Sequence, residues 1–156
     1  KSKKKCNNRP APLVATGPNQ IYSWDITYLR SCITGKFYYL YMFMDIFSRK
    51  IVGHEVHDIE SMEYSSQLID SICLRERVKK HQLVLHSDNG GAMKGATMLA
   101  TLQRLGVIPS FSRPRVSDDN PYSESLFKTL KYCPEYPTKP FASSEEANAW
   151  VKKFVY

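Results

Sequence analysis

Three carboxylates stand where acids are either costly or conspicuous. Asp25 lies inside an apolar stretch between Trp24 and Ile26. A carboxylate in a buried strand must be paired, hydrogen-bonded or bound to a metal, although an Asp on a solvated face has the same sequence signature. Asp88 directly follows the apolar run Leu83-Val84-Leu85 and the pair His86-Ser87. It therefore falls at the carboxyl end of a strand, the edge where open sheets with helical crossovers place ligands. Asp88-Asn89-Gly90 is equally an ordinary turn. Glu124 sits in the first turns of a helix opened by Pro121, where the helix dipole favours an acid whatever its role. Each acid thus has a plain structural reading. Taken together, they have the hard oxygen chemistry that binds Mg²⁺ or Mn²⁺. Two such ions about 4 Å apart can activate a nucleophile and stabilise the leaving oxygen of a phosphodiester.

Basic residues accompany the acids. At about 100° per residue, Glu124, Lys128 and Lys131 share one stripe of their helix, while Leu126, Phe127 and Leu130 form another. A surface ion pair accounts for Glu124 with Lys128 and leaves Lys131 over. Arg113 and Arg115 make the preceding loop a candidate nucleic-acid contact, or simply a solvated basic loop. Other polar residues are assigned lesser roles. Asp45 ends a strand away from Asp88 and is expected to bond to backbone or to Arg49. Asp118 and Asp119 read as loop and near-cap residues. His54, His57, His81 and His86 lack metal-ligand spacing, and His86 is expected either to orient substrate or to be packed and hydrogen-bonded. Ser87 has no paired base, which argues against a serine nucleophile.

The elements that must carry these residues are well punctuated. Residues 21–29 read as a strand. After the turn at Thr34-Gly35-Lys36, residues 37–47 form a second strand, apolar on successive positions and so buried on both faces. Residues 50–57 give a third, in an antiparallel meander. Residues 61–78 form a helix whose buried stripe is Tyr64, Leu68 and Ile72, with Ile69 and Cys73 alongside. A short strand at 83–85 leads to Asp88. A second helix follows, with Met98, Leu99, Leu102 and Leu105 facing the core and Gly106 as its stop. Residues 107–111 make a fifth strand. The third helix starts at Pro121 with Asn120 as its cap. A last helix carries Ala147, Trp150, Val151 and Phe154. This order predicts a mixed sheet with helices on its faces.

The whole chain has 156 residues, 42% hydrophobic and 24% charged, enough for one domain with a real core. Its formal net charge of +7 suits an anionic partner. Cys6, Cys32, Cys73 and Cys133 are too scattered for a zinc knuckle and read as reduced thiols of a cytosolic protein. No apolar run is long enough for a membrane span and no signal peptide is visible. Residues 1–18, with Lys1-Ser2-Lys3-Lys4-Lys5 and Pro10, Pro12 and Pro18, read as a basic linker ahead of a core at 19–156. The last helix has no stop signal before Tyr156, so the chain is expected to continue further in its parent protein.

The stretches Trp24-Asp25-Ile26-Thr27-Tyr28-Leu29, Met44-Asp45-Ile46-Phe47-Ser48-Arg49-Lys50-Ile51-Val52-Gly53 and His86-Ser87-Asp88-Asn89-Gly90 resemble the integrase catalytic core of bacterial insertion-sequence transposases. So do Ser112-Arg113-Pro114 and the run Asn120-Pro121-Tyr122-Ser123-Glu124-Ser125-Leu126-Phe127-Lys128-Thr129-Leu130-Lys131. The 35 residues between Asp88 and Glu124 match the spacing typical of that Asp-Asp-Glu superfamily.

The resemblance implies an α/β, ribonuclease-H-like fold with a five-stranded mixed sheet flanked by helices, its fourth and fifth strands added beside the first. It implies that Asp25, Asp88 and Glu124 are catalytic and hold two Mg²⁺ or Mn²⁺ ions. Lys128 and Lys131 would lie against a DNA end. The implied reactions are cleavage at a transposon end and attack of the freed 3′-hydroxyl on target DNA, by a homo-oligomer acting at the bacterial nucleoid. The sequence departs from the family pattern in two loops, Asn89-Gly90-Gly91-Ala92-Met93 and Pro114-Arg115-Val116-Ser117-Asp118, which touch substrate contacts rather than the acids. The alternatives are a ribonuclease-H-like nuclease and a non-catalytic nucleic-acid-binding module of a decayed element. Sequence-specific DNA recognition is expected to reside upstream of Lys1, so the core alone is expected to be inactive or unspecific.

Overall fold

The computed structural model describes residues 14–88, 90–112 and 121–156. Ten elements follow in chain order. They are β1 (Ile21–Arg30), β2 (Phe37–Asp45), β3 (Ile51–His57), α1 (Met62–Arg75), β4 (Val84–Ser87), α2 (Gly91–Lys94), α3 (Ala96–Leu105), β5 (Ile108–Phe111), α4 (Pro121–Tyr132) and α5 (Ser144–Val155). The strands form one five-stranded sheet in the order β3-β2-β1-β4-β5. β1, β2 and β3 pair antiparallel, and β4 and β5 join in parallel on the far side of β1. The mixed sheet is the one the element order predicts, and its strand order is the one the family resemblance implies.

The continuous apolar run of β2 has a direct explanation. Tyr41 and Phe43 point into a core packed by α1 and α3, while Leu40 and Met42 point into a second core with Phe127, Leu130, Ala147 and Val151. Side chains alternate across a strand, so a strand covered on both faces has no place for polar residues. The same alternation on β1 sends Tyr22 and Trp24 to the first core and Leu29 to the second. Trp24 stacks on Phe43 across the β1–β2 pair, with ring centroids 5.0 Å apart and planes 4° apart.

The helix ends follow local chemistry. Ser61 caps α1 by accepting from the Glu63 N–H, and Ser143 caps α5 by accepting from the Glu146 N–H. Gly106 ends α3 in the left-handed region at φ 70°. Leu68, Ile69, Ile72 and Cys73 form the buried stripe of α1, with Tyr64 half-buried beside them.

The helix expected after Asp88 is two helices, α2 and α3, separated by an extended Gly95. A Cβ at Gly95 would lie 1.4 Å from Met62 Sδ at the start of α1. This close approach of another helix, invisible in the local pattern, falls at the break. Of the four residues expected to face the core, Met98 and Leu102 are buried and Leu105 is partly so, whereas Leu99 lies on the exposed side.

Candidate active site

The central strand carries Asp25 on the face covered by α4. Asp25 has the same parity on β1 as Ser23, whose Oγ lies 2.8 Å from the Ser123 Oγ of α4, and as Leu29, which enters the second core. β1 and β4 pair in parallel with Ile21 beside Val84 and Ser23 beside His86. The same register carried two residues further sets Asp25 beside Asp88, just past the end of β4. Glu124 follows Ser123 in the first turn of α4. The sheet and one helix thus bring all three acids to one edge, from positions up to 99 residues apart in sequence.

The electrostatics of Asp25 record this proximity. Burial raises its carboxyl from the ordinary 3.8 to about 7, and the charges of Asp88, Glu124 and Glu60 add to the rise. A hydrogen bond accepted by Oδ1 from the Ile26 N–H, 2.8 Å long, opposes it. Asp88 likewise turns Oδ1 onto its own backbone, accepting from the Gly90 N–H at 2.8 Å. A Cβ at Gly90 would stand 2.9 Å from that oxygen, so a larger residue there would push the Asp88 carboxylate aside. Glu124 is exposed. Among the described residues, no three His, Cys, Asp or Glu side chains converge closely enough to grip a metal ion as they stand. The acids are neighbours in field and register, each carboxylate of the Asp pair engaging its own loop rather than a shared point.

The other anticipated residues fall as follows. Lys128 is exposed and Lys131 half-buried, with burial lowering the Lys131 ammonium from its usual range. Among the described ion pairs, none joins Glu124 to Lys128. Arg113, Arg115, Asp118, Asp119 and the anticipated cap Asn120 lie outside the described residues, as do Asn89 and residues 1–13 of the anticipated linker. His86 is a hydrogen-bonded histidine: Nδ1 lies 3.0 Å from Ser110 Oγ and Nε2 3.3 Å from Ser112 Oγ, both anchoring it toward β5. Ser87 is buried and donates to the Asp88 carbonyl oxygen. Cys32, Cys73 and Cys133 are free thiols.

Asp45 is buried, and its carboxylate accepts from Ser48 Oγ at 2.7 Å and from the Phe47 N–H at 3.4 Å. The backbone bond expected for it is present. The Arg49 guanidinium instead lies over the Tyr122 ring, 4.2 Å from its centroid. Ser23, Ser123 and Tyr122 were not singled out by sequence reasoning. A contact between residues 100 positions apart leaves no local pattern to find.

A five-stranded sheet in this order, with acids from β1, the β4 end and the following helix at one edge, defines a ribonuclease-H-like domain. Residues 15–117 match the integrase core domain family (rve), and the chain belongs to that family. The family match stops short of Glu124. The chain is 33% identical over 120 residues to the transposase for insertion sequence element IS904 of Lactococcus lactis subsp. lactis (strain IL1403), covering 75% of this chain and 45% of that protein. It is 31% identical over 117 residues to transposase InsF for insertion sequence IS3A of Escherichia coli (strain K12), covering 75% and 40%. The chain therefore spans less than half the length of these curated relatives.

Among solved structures, the catalytic domain of Mos1 mariner transposase superposes with a TM-score of 0.67 at 15% identity, over 88% of this chain and 70% of that one. A chain of the simian T-cell lymphotropic virus intasome in complex with PP2A regulatory subunit B56 gamma gives a TM-score of 0.67 at 18% identity, over 91% and 51%. At these identities the two structures speak for the fold alone.

Proposed function

We propose that this chain is the DNA-cutting and strand-joining core of an insertion-sequence transposase, with Asp25, Asp88 and Glu124 as the catalytic acids. The observation that carries the reading is the parallel β1–β4 register, which sets Asp25 beside Asp88 on the integrase-core fold. Burial and three neighbouring acids hold the Asp25 carboxyl up to about 7. Such a group is readied to exchange its proton for a cation near neutral pH. The all-oxygen donor set suits Mg²⁺ or Mn²⁺ rather than zinc.

Bound there, two divalent ions would supply Lewis-acid activation of the attacking oxygen and charge stabilisation of the leaving one. The chain's own residues do the rest. Asp25 and Asp88 would hold those ions to the rigid sheet. Glu124 closes the site from α4, and reaching a shared point requires its exposed side chain to swing inward. Lys128 and Lys131 on the same helix face, with Arg113 and Arg115 in the preceding loop, would hold the DNA backbone on either side. In-line displacement by water cuts the strand, and in-line displacement by a DNA 3′-hydroxyl joins strands, so one site serves both steps. The acting form would be a homo-oligomer on DNA at the bacterial nucleoid. No described helix is long and apolar enough to cross a membrane.

The test is Mn²⁺-dependent nicking and strand transfer on duplexes bearing the element's ends, comparing the unmodified chain with Asp88→Asn and Glu124→Gln. Each substitution is expected to lower the rate at least about a hundredfold, the scale of losing one group that stabilises transition-state charge. Equal, readily measurable activity in all three proteins sinks the assignment. Cleavage confined to the RNA strand of a hybrid duplex would mark a ribonuclease on the same fold.

A further inference from the structure

Two contacts from different parts of the sheet reach the residues immediately before Glu124. Ser23 of β1 bonds Ser123, hydroxyl to hydroxyl at 2.8 Å, and both residues are almost wholly buried. A hydrogen bond between buried hydroxyls is costly to leave unmade, because no water replaces the lost partner. Tyr122 receives the Arg49 guanidinium on its ring face at 4.2 Å, well inside cation–π range.

Arg49 does not arrive there by chance. It occupies the left-handed region at φ 64°, unusual for a residue with a side chain. The turn that holds it there is built by Asp45. The Asp45 carboxylate accepts from Ser48 Oγ and the Phe47 N–H, and its carbonyl accepts from the Arg49 N–H at 2.8 Å. Asp45 is buried at 2% exposure, so this turn is fastened to the end of β2 rather than floating in solvent.

Helical geometry gives the two contacts a shared consequence. Successive residues are about 100° apart around the axis, so Tyr122 and Glu124 lie on opposite flanks of α4 with Ser123 between them. Ser123 faces down onto β1, and Tyr122 faces the flank of the β2–β3 turn. β2 and β4 lie on opposite sides of β1 in the sheet. Glu124 therefore points to the β4 flank, where Asp88 ends its strand. One contact fixes the distance of the helix start from β1 and the other fixes its rotation.

We infer that Ser23 and the Asp45-built turn, acting through Arg49 on Tyr122, are positioning devices that hold Glu124 toward Asp25 and Asp88. The inference rests on the reading of Glu124 as a metal ligand. It gives Asp45, an acid outside the catalytic set, a defined part in the site. It also makes Arg49 a residue whose loss is felt at the metals without touching them.

The experiment uses the full chain with two measurements on each variant: amide hydrogen exchange along α4, and Mn²⁺ affinity by calorimetry. The variants are Ser23→Ala, Ser123→Ala, Arg49→Ala and Tyr122→Leu, with Tyr122→Phe and Arg49→Lys as conservative partners and Glu124→Gln as reference. In the first four, exchange of the α4 amides from Ser125 onward rises about tenfold, and the Mn²⁺ dissociation constant rises about three- to tenfold toward that of Glu124→Gln. Tyr122→Phe keeps the ring and matches the unmodified chain. Arg49→Lys keeps a cation and recovers part of the loss.

Unchanged exchange in all four overturns the restraint itself. Faster exchange with Mn²⁺ affinity retained, while Glu124→Gln weakens it, reduces the contacts to helix stability and overturns the positioning role. Equal Mn²⁺ affinity in Glu124→Gln and the unmodified chain removes Glu124 from the site, and the positioning role goes with it.

Discussion

Asp25 shows how one residue can read ambiguously in sequence and specifically in structure. In the chain it is an acid among apolar neighbours, compatible with a solvated strand face. In the fold it is half-buried, faces α4 and feels three further acids. Its carboxyl lies at about 7 in the folded chain against about 3.8 in the unfolded one. Below both values each state is protonated and the group contributes nothing to the pH dependence. As pH rises from about 4 to 7 the unfolded chain ionises while the folded one resists, so stability falls across that window and stays low above it. The metal-free chain is therefore expected to lose stability between pH 4 and 7 by on the order of a few kcal/mol. Asp25→Asn should flatten that part of the profile and be the more stable protein at pH 8. Urea unfolding of both proteins at pH 4, 6 and 8 reads this out, and parallel profiles would contradict it. Mn²⁺ at pH 8 should raise the melting temperature of the unmodified chain and leave Asp25→Asn nearly unmoved.

At the scale of elements, what was legible in sequence was what is decided locally. The Gly106 stop, the doubly buried β2 run and the 3.6-residue stripe of α1 each depend on residues within a few positions of one another. The close approach of Met62 to Gly95 and the contact of Ser23 with Ser123 on α4 join residues far apart in the chain. Close approach between elements is likewise invisible until the elements are placed. Gly53 on β3 is an example, because a Cβ there would fall 2.4 Å from Ile72 Cδ1 and 3.2 Å from Leu68 Cδ1. The glycine lets α1 lie tight against the sheet. Gly53→Ala is expected to cost about 1–3 kcal/mol through overpacking. Shortening the opposing side chain with Ile72→Val should recover part of that loss, although Ile72→Val alone destabilises by about 0.5–1.5 kcal/mol. A double-mutant cycle in urea with no coupling between the two positions would refute the contact as the cause.

On the scale of the whole molecule, the order of elements was enough for a mixed sheet with helices on its faces, while the placing of the fourth and fifth strands beside the first came from the family resemblance. The surface role of the charge was less determined. A net charge of +7 predicts attraction to DNA but not where it acts. The structure places Lys128 exposed on the flank of α4 that carries Glu124, with no ion pair to it. An unpaired exposed ammonium is free to displace a counterion from a phosphate. If DNA runs along that flank, affinity must fall as a power of salt concentration, with a slope set by the phosphates neutralised. Anisotropy titrations of a labelled duplex across about 50–200 mM salt should give a straight log–log plot. Lys128→Ala should weaken binding on every sequence alike and reduce that slope by about one. Gly53→Ala, packed under α1 on the face of the sheet opposite α4, should leave the slope unchanged once its lower stability is allowed for. A salt slope unaltered by Lys128→Ala would move the DNA path off the Lys128 flank of α4.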